Sequence, residues 1–291
     1  FMGEYSNGGR LAYFPAAFLL KTPLASLLLM GGAIFTAVRR PKAWTLGETL
    51  FLIPLLLLLA TSLNSKINIG LRHILLAYPI LFILMGRIFK ESFFAGKYGP
   101  KAAMAFVLLL AAETLAAAPD YLAFFNRAAG GPAAGIKYLS DSNIDWGQDL
   151  KGLGKFLEKE EGAEVLLSYF GTSPALAYGV RAQGLPTVWE YPKSGHLNSA
   201  EPKKEYCAIS VTNLQGTYFM DHQIYGWLLQ KTPAAKIGGS IYVYDVTEDL
   251  ESQRKFLEIY ERTGEREKAL RAAARLRKLG GLATVLPVSV R

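Results

Sequence analysis

Two stretches of this chain hold residue types that do chemistry at useful spacing. The first, Ser65-Lys66-Ile67-Asn68-Ile69-Gly70-Leu71-Arg72-His73, places two cations and an imidazole between two long apolar runs. At a membrane surface that set suits an anionic group such as a lipid phosphate. The guanidinium of Arg72 offers a planar fork of donors, Lys66 a point charge and His73 one further hydrogen bond. Ordinary headgroup anchoring by flanking basic residues is the alternative, and composition alone favours it. Lys21, in Leu19-Leu20-Lys21-Thr22-Pro23, lies about two turns into an apolar stretch. It either snorkels to the interface or faces the protein interior, where an ionisable residue has a binding or structural role. Glu113, inside another apolar stretch, poses the same choice.

The second stretch is Asp141-Ser142-Asn143-Ile144-Asp145-Trp146-Gly147-Gln148-Asp149, the densest polar cluster outside the apolar runs. Asp141, Asp145 and Asp149 can bind hydroxyls or a cation, Asn143 and Gln148 add amides, and the indole of Trp146 can stack on an apolar sugar face. The alternative is a loop in which Asp and Asn form turns and cap the next helix. No metal site is expected, because His73, His196 and His222 are far apart and no spaced Cys or acidic ligands accompany them. Gly130-Gly131-Pro132 is a turn, too short to cradle a phosphate. The single cysteine, Cys207, reads as a buried thiol.

The elements that must carry these residues fall into three regions. Residues 1–118 hold four apolar segments, at about 12–38, 46–63, 71–89 and 102–118, each long enough for roughly 30 Å of hydrocarbon. The run Pro54 to Ala60 reads PLLLLLA, with no polar face of the kind a soluble bundle needs. Residues 119–246 read as one small α/β domain. Strands are expected at 135–139, 164–170, 205–211 and 240–246, and helices at 148–160, after Ser173-Pro174, and at 217–230, around a mainly parallel sheet. Residues 184–204, with Pro186, Pro192, Gly195 and Pro202, read as irregular loop. Residues 247–291 read as a charged helical hairpin, turning at Gly264, and a tail. The fold class expected is an α-helical polytopic membrane domain, then a soluble α/β domain and a short helical hairpin.

The formal charge of +8 is uneven: residues 1–118 carry eleven basic and four acidic side chains, and the rest nearly balance. Basic surplus between apolar segments is what membrane topology asks for, so no nucleic-acid partner is expected. Arg39, Arg40, Lys42, Arg87, Lys90, Lys97 and Lys101 fall in the loops of one side, against Arg10, Lys66 and Arg72 on the other. The side with more positive charge is cytoplasmic, which puts residues 119–291 outside a multi-pass cytoplasmic membrane protein. The chain starts at Phe1 without a basic leader, and the expectation is the carboxy-terminal part of a longer membrane protein.

Several stretches together resemble one family: Gly3-Glu4 with Gly9, Tyr13-Phe14-Pro15, Lys21-Thr22-Pro23, Ser65-Lys66 through Gly70, Arg72-His73, Tyr78-Pro79, Tyr121 with Phe125-Asn126, Gly130-Gly131-Pro132, and the run from Asp141 to Leu150. They cover about residues 1–152. The chain resembles the carboxy-terminal half of bacterial glycosyltransferases related to protein O-mannosyltransferases, the family-39-like group with a GT-C-like fold. The resemblance implies an enzyme that moves a sugar from a polyprenyl-phosphate carrier to a glycan or protein acceptor on the outer face of the membrane. The polyprenyl-phosphate sugar is a substrate; no bound cofactor is implied. In that family the catalytic base is an acidic residue in the first outer loop, expected ahead of residue 1, so no carboxylate here takes that role. Arg72, Lys66, Lys21 and His73 would hold the donor phosphate. Asp141, Asn143, Asp145, Trp146, Gln148 and Asp149 would shape the acceptor side or a domain junction. A non-catalytic membrane-anchored subunit binding saccharide or a partner, and a lipid-linked sugar transporter, are the alternatives.

Overall fold

The computed structural model describes residues 1–6, 8–39, 45–90, 96–188 and 196–280. Arg40 and Lys42 of the first basic loop, Pro192 and Gly195 of the expected irregular loop, and tail residues 281–291 lie outside the described residues. The chain packs as two units, Phe1–Ile144 and Asp145–Arg291.

The amino-terminal unit is helical: α1 (Tyr13–Lys21), α2 (Leu24–Arg39), α3 (Leu46–Leu63), α4 (Ala77–Met85) and α5 (Gly99–Ala117). Two of these, α3 and α5, are long and apolar enough to cross a membrane. The first expected segment is not one rod, since α1 and α2 meet at 117°. Pro23 supplies no N–H to continue α1 and forces the residue before it out of helical geometry. Thr22 is extended accordingly, with φ −92° and ψ 134°. Counted as one span, the bent pair would be a third.

The third expected segment, 71–89, departs most from expectation. A 3-10 turn at Leu71–Ile74 precedes α4, and another at Gly86–Lys90 follows it. Its apolar helical part, Ala77–Phe89, reaches only about 20 Å at 1.5 Å per residue, short of the roughly 30 Å hydrocarbon core. By length and composition, two helices among the described residues suffice to cross a membrane, or three if the bent pair is one span.

Leu50, Ile53, Leu56 and Leu57 of α3, with Met104, Val107, Leu108 and Leu115 of α5, are exposed. Such continuous apolar surface is unfavourable in water and suits a hydrocarbon solvent. Contacts inside this unit define two ends. At one, Glu48 closes a capping box with Thr45 at the start of α3 and pairs with the buried Arg87 just past α4, at 3.1 Å. At the other, the Asn68 side chain accepts from the Arg10 N–H at 2.6 Å, and Asn126 donates to the carbonyls of Leu19 and Thr22.

The carboxy-terminal unit is built on five strands: β1 (Ala163–Ser168), β2 (Ala182–Gly184), β3 (Lys204–Ser210), β4 (Ala235–Ile237) and β5 (Ile241–Asp245), in the order β2-β1-β3-β5-β4. β1 runs parallel to β2 and β3, whereas β5 is antiparallel to β3 and β4. The sheet is thus mixed where a mainly parallel one was expected. The reason is a hairpin: Gly238 and Gly239, at φ 55° and 81°, make the tight turn that folds β4 back on β5. α6 (Leu150–Leu157) covers one sheet face through Leu150 and Leu153 against Val165, Ala182, Ala208 and Val243.

Three elements expected in this region differ, and the helix expected after Ser173-Pro174 is only a 3-10 turn, Ala175–Tyr178, with Pro174 itself at its N-cap. Residues 135–139 are not a strand but lie largely in a 3-10 segment, Pro132–Lys137, of the amino-terminal unit. Residues 217–230 form turns and a 3-10 helix at Gly226–Gln230, because Gly216 at φ 65° ends the short α7 (Val211–Leu214). The charged hairpin is present as α8 (Leu250–Arg262) and α9 (Arg266–Lys278), with Gly264 at φ 70° between them. Its helices pack on the other sheet face, where the buried Glu205 of β3 pairs with Arg271 and accepts from Gln253 at 2.8 Å.

Candidate functional site

In the amino-terminal unit Asn143 is the hub. Its backbone carbonyl and that of Leu122 both accept from the Lys21 ammonium, which also lies 4.6 Å from the centre of the Phe125 ring. The Asn143 amide donates to the Tyr13 hydroxyl at 2.8 Å and to the Ser140 carbonyl, and its oxygen accepts from the Leu71 N–H at 3.0 Å. Ser142 donates to the Ile69 carbonyl. These bonds tie the 65–73 stretch, α1 and residues 141–143 into one place.

Local backbone makes that approach possible. Gly70 sits at φ 147°, and a Cβ there would overlap the Ser142 hydroxyl. Only glycine fits both demands. Gly9 is equally close-fitting, since a Cβ would strike the Ser65 carbonyl. Asp141 is a buried non-glycine residue at φ 53°, a conformation that aspartate tolerates better than most.

The structure therefore brings together Lys21, Asn143, Asp141 and Arg72, the last two acting electrostatically on the Tyr13 hydroxyl. Arg72 and His73 are exposed on the 3-10 turn, with Phe14 edge-on to the His73 ring at 6.3 Å between centroids. Lys66 is exposed in the same stretch, next to the close approach of Gly9. Two of the three donors of Lys21 serve backbone carbonyls, so the lysine braces the site.

Asp145, Trp146, Gln148 and Asp149 belong to the other unit. Asp145 is wholly buried and accepts from the N–H groups of Gly147 and Thr212 at 3.1 and 3.3 Å. Burial pushes its carboxyl up to about 7 against the pull of those hydrogen bonds, and the nearby Asp149 raises it further. Asp149 accepts from the Ser240 hydroxyl at 2.6 Å and the Gln148 amide at 3.3 Å, and Gln148 in turn accepts from the Trp146 N–H. The Tyr169 hydroxyl donates to the Gly147 carbonyl at 2.6 Å and is itself pushed up to about 12, chiefly by burial.

Sequence reasoning missed the roles of Tyr13, Asn126, Tyr169 and Ser240. Tyr13 and Asn126 stood in the resembling stretches, but nothing in their spacing tells which partner each would meet. Ser240 follows the Gly-Gly hairpin signal, which was legible and would have placed it beside a strand end. Among the described residues no group of three or more His, Cys, Asp or Glu side chains is placed to hold a metal ion. No protein-family model, curated protein or solved structure matches the chain.

Proposed function

We propose that the chain is part of a membrane glycosyltransferase that takes a sugar from a polyprenyl-phosphate carrier and passes it to an acceptor at the outer membrane face. One observation carries the reading: residues 13–21, 65–73 and 141–143, far apart in sequence and each part of the family resemblance, are hydrogen-bonded into one site. That site lies at one end of a helical unit whose apolar helices are long enough to span a bilayer.

In this reading the acceptor hydroxyl attacks the anomeric carbon as the bond to the carrier phosphate breaks, and its proton passes to the carboxylate base that the family resemblance implies. Charge builds on the leaving phosphate, and preorganised cations there lower the barrier. The exposed Arg72, with His73 next to it in sequence and Lys66 exposed in the same stretch, would serve that phosphate, while Lys21 acts as a positioning residue through Leu122 and Asn143. No carboxylate of this chain is given the part of the base.

The test is Arg72→Ala in the full-length protein, assayed in membrane vesicles for sugar transfer from a polyprenyl-phosphate sugar. A loss of about 100-fold in transfer with normal membrane insertion is expected, the usual scale for one electrostatic donor. Unchanged transfer would remove Arg72 from the donor site. Absence of any transfer by the wild type would favour the anchoring-subunit reading.

A further inference from the structure

The donor chemistry leaves Glu113 unused. It sits one turn before the end of α5, a helix long and apolar enough to cross a membrane. An ionisable side chain in such a segment is unfavourable unless a partner meets it. Here the side chain is half-buried. Its Oε1 accepts from the Leu24 N–H, the first of α2, at 3.3 Å. Its Oε2 is shielded from water and has no hydrogen-bond partner among the described residues. No ion pair among the described residues includes this carboxylate.

Glu113 also borders a cavity of about 170 Å³, whose other lining residues are Pro23, Thr114, Ala117, Tyr121 and Phe124. A single water needs only roughly 10–15 Å³, so the space admits an organic group. Thr114 donates its hydroxyl to the Leu110 carbonyl at 2.8 Å. The cavity therefore offers a carboxylate and two aromatic side chains. Charge and hydrogen bonding then define the occupant. A carboxylate beside aromatic side chains attracts a cation, and an acceptor without a partner asks for an N–H donor. A primary ammonium meets both demands, whereas a quaternary one has no N–H. The source is the surrounding lipid. Met104, Val107, Leu108 and Leu115 of the same helix expose apolar side chains of the kind hydrocarbon covers, and Tyr121 is exposed beside the cavity. Aromatic side chains are enriched at the level of the headgroups.

We propose that the cavity at Glu113 binds the primary-ammonium headgroup of a phospholipid, the chemistry of phosphatidylethanolamine. The site needs only α5 in a bilayer, and it stands whether or not the chain transfers a sugar.

The test is native mass spectrometry of the full chain in detergent, titrated separately with dioleoyl phosphatidylethanolamine, phosphatidylcholine and phosphatidic acid. The first should be retained at least about fivefold more strongly than either of the others, the scale of one cation–aromatic contact with a charge-assisted hydrogen bond. Glu113→Gln keeps an acceptor for the Leu24 N–H and should fold with unchanged helix content, yet lose the preference. Tyr121→Leu, at an exposed side chain, checks the site independently and should weaken retention about threefold. Equal retention of the three lipids by the wild type, or a preference that survives in Glu113→Gln, would overturn the proposal. So would displacement of the lipid by an equal concentration of phosphoethanolamine, which would make the cavity a site for a soluble amine.

Discussion

Asp145 is a carboxylate whose charge its surroundings disfavour. It is wholly buried, the Gly147 and Thr212 N–H donors do not offset the loss of water, and its carboxyl is pushed from the ordinary 3.8 up to about 7. Between those values the folded chain keeps a proton that the unfolded chain has released. The resulting stability is full below about pH 4 and is lost as pH rises through 7, amounting to roughly 4 kcal/mol at most. Asp145→Asn removes this titration while keeping one acceptor. Melting the detergent-solubilised wild type between pH 4.5 and 8 should give a Tm that falls more steeply than that of the variant. Parallel curves would mean that Asp145 ionises at the ordinary carboxylate value.

At the scale of elements, one buried carboxylate of the sheet engages both helices of the hairpin. Glu205 on β3 is wholly buried, pairs with Arg271 of α9, and accepts from Gln253 of α8 at 2.8 Å and Asn198 at 3.1 Å. Removing either partner of a buried pair strands the other charge and costs about 3–5 kcal/mol, whereas replacing both by apolar groups costs far less. Glu205→Leu and Arg271→Met should each lower stability by about that amount in urea unfolding, and the double variant should recover most of it. Additive losses in the double variant would show the two side chains to be uncoupled.

The hairpin's existence was legible in the sequence, because Leu250, Phe256, Leu257 and Tyr260 share one helical face and Gly264 punctuates it. Its docking was not, because no local pattern reveals that Glu205 meets Arg271. The same division runs through the rest of the chain. α3 coincides with the apolar run at 46–63, whose composition leaves no other choice. The run at 71–89 looked equally apolar, yet it is divided into a 3-10 turn, α4 and a second 3-10 turn, a division no apolar pattern reveals. Of the candidate site, the residue types were readable and their grouping was not. The stretch 141–149 looked like one cluster, but Asp141 and Asn143 serve one unit and Asp145 and Asp149 the other.

For the whole molecule the open question is which way the chain faces across the membrane, and the amino-terminal unit supplies a physical handle on it. The Glu48–Arg87 pair holds the start of α3 beside the end of α4, which marks one end of the unit. Asn143 and the 65–73 stretch share the other. Under the positive-inside rule, seven basic residues in the sequence against three would put the first end in the cytoplasm, an orientation proposed and not shown. Cys207 makes this measurable, because the only cysteine is wholly buried and its thiol is pushed up by burial, leaving little reactive thiolate. In a Cys207→Ala background, a cysteine at the exposed Leu176 of the carboxy-terminal unit should react with a membrane-impermeant maleimide in intact spheroplasts. One at the exposed Lys97 should react only after permeabilisation. The opposite pattern would put the carboxy-terminal unit in the cytoplasm, out of reach of an acceptor on the outer face, and the transferase reading would fall with the orientation.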